Sequence, residues 1–78
     1  MTANDNRYIQ LGLKIAYYRK LRGYTQETLS EAIGISAGFL SQVEAPNMVT
    51  PISMDTLFAI ADTLKILPHK FLEFEEIS

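Results

Sequence analysis

Acid–base catalysis needs a titratable group with a partner within hydrogen-bonding reach, and nucleophilic catalysis needs a nucleophile beside its base. His69 is the only imidazole in the chain, no cysteine is present, and no nucleophile stands beside His69 at a meaningful spacing. A lone surface imidazole is the plain reading of His69. One histidine and no thiolate also fall short of a zinc ligand set. The carboxylates of Glu73, Glu75 and Glu76 form a short run near the end of the chain, where a solvated charge run is the expected role. The four glycines are scattered and make no phosphate-cradling loop. No catalytic residue, metal site or cofactor is therefore expected, and the chain reads as no enzyme. The remaining chemistry is charge. Arg7, Lys14, Arg19, Lys20 and Arg22 stand against Asp5 alone in residues 1–24, a balance of +4. Residues 25–64 hold Glu27, Glu31, Glu44, Asp55 and Asp62 with no Lys or Arg. The net charge of −2 thus hides a polarised chain with a basic first segment able to meet phosphate.

The elements that carry these residues read as helices. Seventy-eight residues suffice for one small core, and 47% hydrophobic with 21% charged residues is ordinary for a compact soluble protein. No linker or repeat divides the chain, so a single domain over 1–78 is expected. A short polar N-terminal arm at 1–6 and an acidic tail at 73–78 are expected at its ends. No apolar run reaches the roughly 18 residues of a membrane span, and the polar N-terminus is no signal peptide. A cytoplasmic protein with no membrane partner is the expectation. Leu11, Ile15, Tyr18 and Leu21 make an apolar stripe at helical spacing on a first helix, which Gly23 ends. Thr25 is a candidate N-cap for a second helix that turns Leu29, Ala32 and Ile33 inward and stops at Gly34, though Thr28 in place of Glu predicts no full capping box. Ser36 caps a third helix, with Leu40 and Val43 inward. After a loop holding Pro46 and Pro51, Ser53 caps a fourth helix with Met54, Leu57, Phe58, Ala61 and Leu64 at helical spacing. Pro68 opens a fifth helix, His69 to about Glu73. The predicted fold is all-α, a compact five-helix domain. Tyr17, Tyr18, Phe58, Phe71, Met48 and Met54 are read as core rather than as a ligand pocket.

Only Gly34 and Ile35 separate the second helix from the cap of the third, and so short a connection forces a steep crossing. Ser30 supplies the small residue where the two helices approach. With its flanks, this segment resembles the lambda-repressor-like, Cro-type (XRE) helix-turn-helix family of DNA-binding domains, from about Leu11 to Leu72. The resemblance is carried by Leu11-Gly12, Ile15 and Tyr18-Arg19, by Gly23-Tyr24-Thr25-Gln26-Glu27-Thr28-Leu29, by Ile33-Gly34-Ile35-Ser36, by Phe39-Leu40-Ser41-Gln42-Val43-Glu44, and by Pro51, Thr56-Leu57, Ile60-Ala61 and Leu64.

The resemblance implies that the helix at about 36–44 enters the major groove of double-stranded DNA while the preceding helix crosses the backbone. Ala37, Gly38, Phe39, Ser41 and Gln42 then take the base-reading positions, and Gln26 and Ser36 meet phosphate. Arg19 and Glu44 match a pair that ties the first helix to the third, which leaves Lys14, Lys20 and Arg22 as the basic backbone candidates. Where the family continues after Glu44 with a basic residue and Gly, this chain has Ala45 and Pro46, leaving Asn47 and Thr50 as that loop's polar candidates. Gln42 is the one side chain able to grip adenine with two hydrogen bonds. The implied function is transcriptional regulation, as a repressor on a palindromic operator, by a homodimer formed through Phe71, Leu72, Phe74 and Ile77. The alternative is an antitoxin or protein-interaction module with a partner such as a toxin.

Overall fold

A computed structural model describes residues 2–76. Four α-helices and one 3-10 helix follow one another: α1 (Ala3–Leu21), α2 (Gln26–Ile33), α3 (Ala37–Glu44), α4 (Met54–Leu64) and the 3-10 helix Pro68–Leu72. Among the described residues there is no β-strand. The chain is all-helical as expected, with one correction: the fifth helix is a single tight 3-10 segment. Pro68 starts it, and five residues are too few for more than a turn or so of α-helix.

The helix starts follow from hydroxyl caps. The Ser36 and Ser53 side chains accept from the Phe39 and Thr56 backbone N–H groups at 3.0 and 3.1 Å. At α2 the Thr25 hydroxyl accepts from Thr28 N–H, and the Thr28 hydroxyl accepts from Thr25 N–H at 2.9 Å. The capping box is therefore complete, because a threonine hydroxyl can do what the expected glutamate does. Thr2 and Asp5 build another at the start of α1. Residues 3–6, expected as a polar arm, are for that reason the first turn of a 19-residue helix. Gly34 ends α2 in the left-handed region at φ 78°. Its N–H and that of Ile35 both donate to the Ser30 carbonyl, which turns the chain sharply into α3.

α1 packs on α3, α2 on both α3 and α4, and the 3-10 helix closes against α1 and α4. Leu11, Ile15, Leu29, Leu40, Val43, Leu57, Ile60, Ala61, Leu64 and Phe71 form the core. Phe71 is fully buried, with its ring 5.2 Å from that of Tyr18 in an edge-on contact. Gly12 faces the end of α3: a Cβ there would collide with the Val43 carbonyl oxygen. Several apolar residues read as inward point out instead. Leu21, Met54, Phe58, Tyr17 and Met48 are exposed, and so is Ala32. Ala32, Met54 and Phe58 keep helical spacing, but the inward stripe of an 8- or 11-residue helix is narrower than the apolar stripe of its sequence. Tyr17 and Leu21 lie on the side of α1 turned from α3, and Met48 on the loop after α3.

The acidic segment at 73–76 lies back along α1. The Gln10 side-chain amide donates to the Glu75 carbonyl at 2.7 Å and accepts from the Glu75 N–H at 2.8 Å. Arg7 grips the Glu76 carboxylate at 3.0 Å.

Candidate nucleic-acid interface

The start of α2 and the end of α3, opposite their corner at Gly34, are tied together by a buried polar cluster. Arg19 Nε and Nη2 donate to the two carboxylate oxygens of Glu44 at 2.8 and 2.9 Å, and both side chains are under one-tenth exposed. Arg19 Nη1 donates to the Tyr24 carbonyl at 2.8 Å, and Gln26 Nε2 donates to Glu44 Oε1 at 3.0 Å. One guanidinium thus joins α1, the approach to α2 and the end of α3. Two charges taken out of water need this complete set of partners, and among the described residues no buried side-chain polar atom lacks one.

At the other end of that helix, the start of α3 is open. Gly38 is exposed, and a Cβ there would meet nothing within 4 Å beyond its chain neighbours and its own helix backbone. Ser41 and Gln42 are exposed and Ala37 is half-buried. The N–H groups of Ala37 and Gly38 precede the first intrahelical bond, made by Leu40 to the Ser36 carbonyl, so they are oriented donors for an anion. Glu44 is the only acid on α3, and Arg19 neutralises it. The five acids of residues 25–64 therefore leave the exposed face of α3 without net charge.

The other expected contact residues divide. Ser36 is exposed, and its oxygen serves as the cap. Asn47 is exposed and Thr50 half-buried, both on the loop that follows α3. Phe39 packs partly against the core, which leaves only part of its ring for a base. Gln26 spends its amide on Glu44. Arg22, expected as a phosphate contact, donates from Nε to the Leu64 carbonyl at 3.0 Å and from Nη2 to the Lys65 carbonyl at 3.4 Å. Carbonyls at a helix C-terminus lack intrahelical donors, and α4 ends at that point, so the side chain serves as a cap. Lys14 is half-buried, Lys20 is exposed, and among the described residues neither forms an ion pair.

The expected dimer residues do not form one surface. Phe71 is core. Leu72 is exposed and Phe74 half-buried, and both border a groove of about 300 Å³ with Tyr8, Ile52, Met54 and Leu57. Ile77 lies outside the described residues. Sequence reasoning found no role for Gln10 and counted Arg7 only as part of the basic segment, whereas the two side chains hold Glu75 and Glu76. A side-chain amide that pairs with a backbone 65 positions away leaves no local signal.

Among the described residues no group of three or more His, Asp or Glu is placed to hold a metal ion, and no helix is long and apolar enough to cross a membrane. No solved structure matches the chain. Two curated bacterial proteins do, both from Bacillus subtilis (strain 168). The chain is 32% identical over 63 residues to the HTH-type transcriptional regulator SinR, covering 81% of the chain and 56% of SinR. It is 47% identical over 36 residues to the uncharacterized HTH-type transcriptional regulator YazB, covering 46% of the chain and 52% of YazB. The chain thus spans about half the length of the curated relatives it matches. The helix-turn-helix family model matches residues 15–71, from the middle of α1 to the buried Phe71. With α2 and α3 joined by a sharp turn at Gly34 and the end of α3 held by the Arg19–Glu44 pair, the chain belongs to the XRE-type helix-turn-helix family.

Proposed function

We propose that the chain binds double-stranded DNA sequence-specifically as a transcriptional regulator, with α3 in the major groove. The observation that supports this reading is the open, uncharged start of α3 on a helix whose other end is held by a buried ion pair. Gly38 lets the backbone approach the duplex, Gln42 offers a two-hydrogen-bond contact to adenine, and Ser41 and Ala37 add smaller contacts. The free N–H groups at the starts of α2 and α3, with Ser36, Asn47 and Thr50, position the phosphates. Both curated relatives are named as transcriptional regulators, which supports the same assignment.

Base reading by one glutamine is thin, so specific affinity comes from two copies on a palindromic operator, with half-sites about 34 Å apart. Such a dimer acts as a repressor by occupying its site. Leu72 and Phe74, at the rim of the groove with Met54, supply the self-complementary contact.

Selection of bound duplexes from a random pool, repeated across salt, tests the reading. A recovered inverted repeat with adenine at the position lost on Gln42→Ala supports it. Recovery of no sequence, with binding set by salt alone, rejects it. Sedimentation of the wild type and of Leu72→Asp tests the dimer separately.

A further inference from the structure

The outer face of α1 carries three exposed apolar residues in one line. Leu13, Tyr17 and Leu21 are 46%, 62% and 58% exposed and follow at i, i+4 and i+8, the spacing of one helical face. Gly12 and Arg19 mark the face turned to α3. At about 100° per residue, Tyr17 lies about 160° from Arg19, almost opposite. The core, the Arg19 cluster and the contact with α3 therefore make no use of this line.

Two further observations say what could cover it. First, the line is bordered by cations. Lys14 and Lys20 flank Tyr17 on the two sides, and among the described residues neither is paired. The arginines of α1 and of its C-cap are engaged instead, Arg7 with Glu76, Arg19 with Glu44 and Arg22 with carbonyls. A second copy laid α1 against α1 would bring these lysines towards one another, so like charges oppose self-pairing. A partner with acidic flanks is the complement. Second, the central aromatic already rests against its own domain. The Tyr17 ring stands edge-on to Tyr18 at 5.1 Å, and Tyr18 stands edge-on to the buried Phe71 at 5.2 Å. An anchor held by a chain of rings into the core loses little freedom when a partner closes over it. Tyrosine is also the residue type that concentrates binding energy at interface centres.

We infer that the outer face of α1 docks an acidic amphipathic helix of another protein, with Tyr17 as the central anchor and Lys14 and Lys20 as charged flanks. Because the line points away from α3, such a partner and DNA can occupy the domain together. The inference does not rest on DNA binding, and the two can fail separately.

The probe is a synthetic 18-residue helical peptide with leucines at i, i+4, i+7 and i+11 and glutamates beside them, compared with a counterpart whose flanks are lysines. Amide chemical shifts and fluorescence anisotropy on the folded chain read the binding. The glutamate peptide should move resonances of residues 13–21 and bind at least tenfold tighter than the lysine peptide. Tyr17→Ala should weaken it at least tenfold, and Lys14→Glu with Lys20→Glu should invert the preference, with unchanged melting curves showing that each variant is folded. Equal affinity for the two peptides, no binding, shifts confined to α3 or to the groove beside Leu72, or sedimentation of a dimer that Tyr17→Ala dissolves would each overturn it. Selection of DNA duplexes by the Tyr17→Ala protein should be unchanged.

Discussion

α1 ends in two arginine–glutamate pairs of the same chemistry and nearly the same geometry. Near its C-terminus Arg19 grips Glu44, and near its N-terminus Arg7 grips Glu76, each guanidinium reaching both carboxylate oxygens. The first pair has side chains 8% and 5% exposed, the second 43% and 61%. Burial separates their roles. In water the attraction between such groups is offset by side-chain ordering and screened by salt, so the outer pair contributes at most about 1 kcal/mol. The inner pair has lost its water, and each partner depends on the other for solvation. It fixes where α3 stands relative to α1 while adding little net stability over an apolar pair of the same size.

Removing one inner partner should give the largest effect. Glu44→Ala leaves the Arg19 guanidinium buried with only the Tyr24 carbonyl, and should destabilise the fold by about 3–5 kcal/mol, read by denaturant unfolding. The sharper form replaces both partners. Arg19→Met with Glu44→Leu should recover most of that loss, whereas an uncoupled pair would show two additive losses. Next comes the backbone approach at the same end of α3. Gly12→Ala pushes a methyl into the Val43 carbonyl and should lose about 1–3 kcal/mol, because main chain on α3 must shift to admit it. The outer pair follows. Arg7→Ala should lose less than about 1 kcal/mol, and salt should remove that difference while leaving the Glu44→Ala difference largely intact. The smallest effect carries the opposite sign. Gly38→Ala stands in open space within a helix and should stabilise by about 0.5–1 kcal/mol. If the backbone at Gly38 approaches the duplex, the same variant loses DNA affinity while gaining stability. Retained affinity would place α3 farther from the bases. For the electrostatics, Lys14→Ala with Lys20→Ala should change the salt slope of DNA binding by well under two units, since neither lysine lies on the face of α1 turned to α3.

The corner was legible and the ends were not. Gly34, Ser36 and the inward Leu29, Leu40 and Val43 carry their message within ten or so residues, because a left-handed stop, a hydroxyl cap and helical spacing are local requirements. Arg19 with Glu44 was legible only through the family resemblance, since nothing local links positions 25 apart. The start of α1 was hidden because Asn4, Asp5 and Asn6 favour loops by propensity. The Thr2–Asp5 reciprocal cap overrides that preference. Arg22 looked free for phosphate because the end of α4, which takes its hydrogen bonds, is 42 residues away. The apolar residues of the C-terminal segment looked alike in sequence. Phe71 faces Tyr18 and the core, while Leu72 beside it faces outward, a division set by the tight 3-10 turn.

The Gln10 clamp on Glu75 also bears on the order in which the molecule assembles. Closing it requires nearly the whole chain to be in place, since its partners are 65 positions apart. The α2–α3 corner needs only a short loop. Contacts that span long loops are favourable only after the intervening chain is ordered. The clamp is therefore expected to close after the folding barrier has been crossed. A Gln10→Ala protein should refold at the wild-type rate and unfold faster, so the hydrogen bonds that tie the two ends together set how long the native state lasts rather than how quickly it forms.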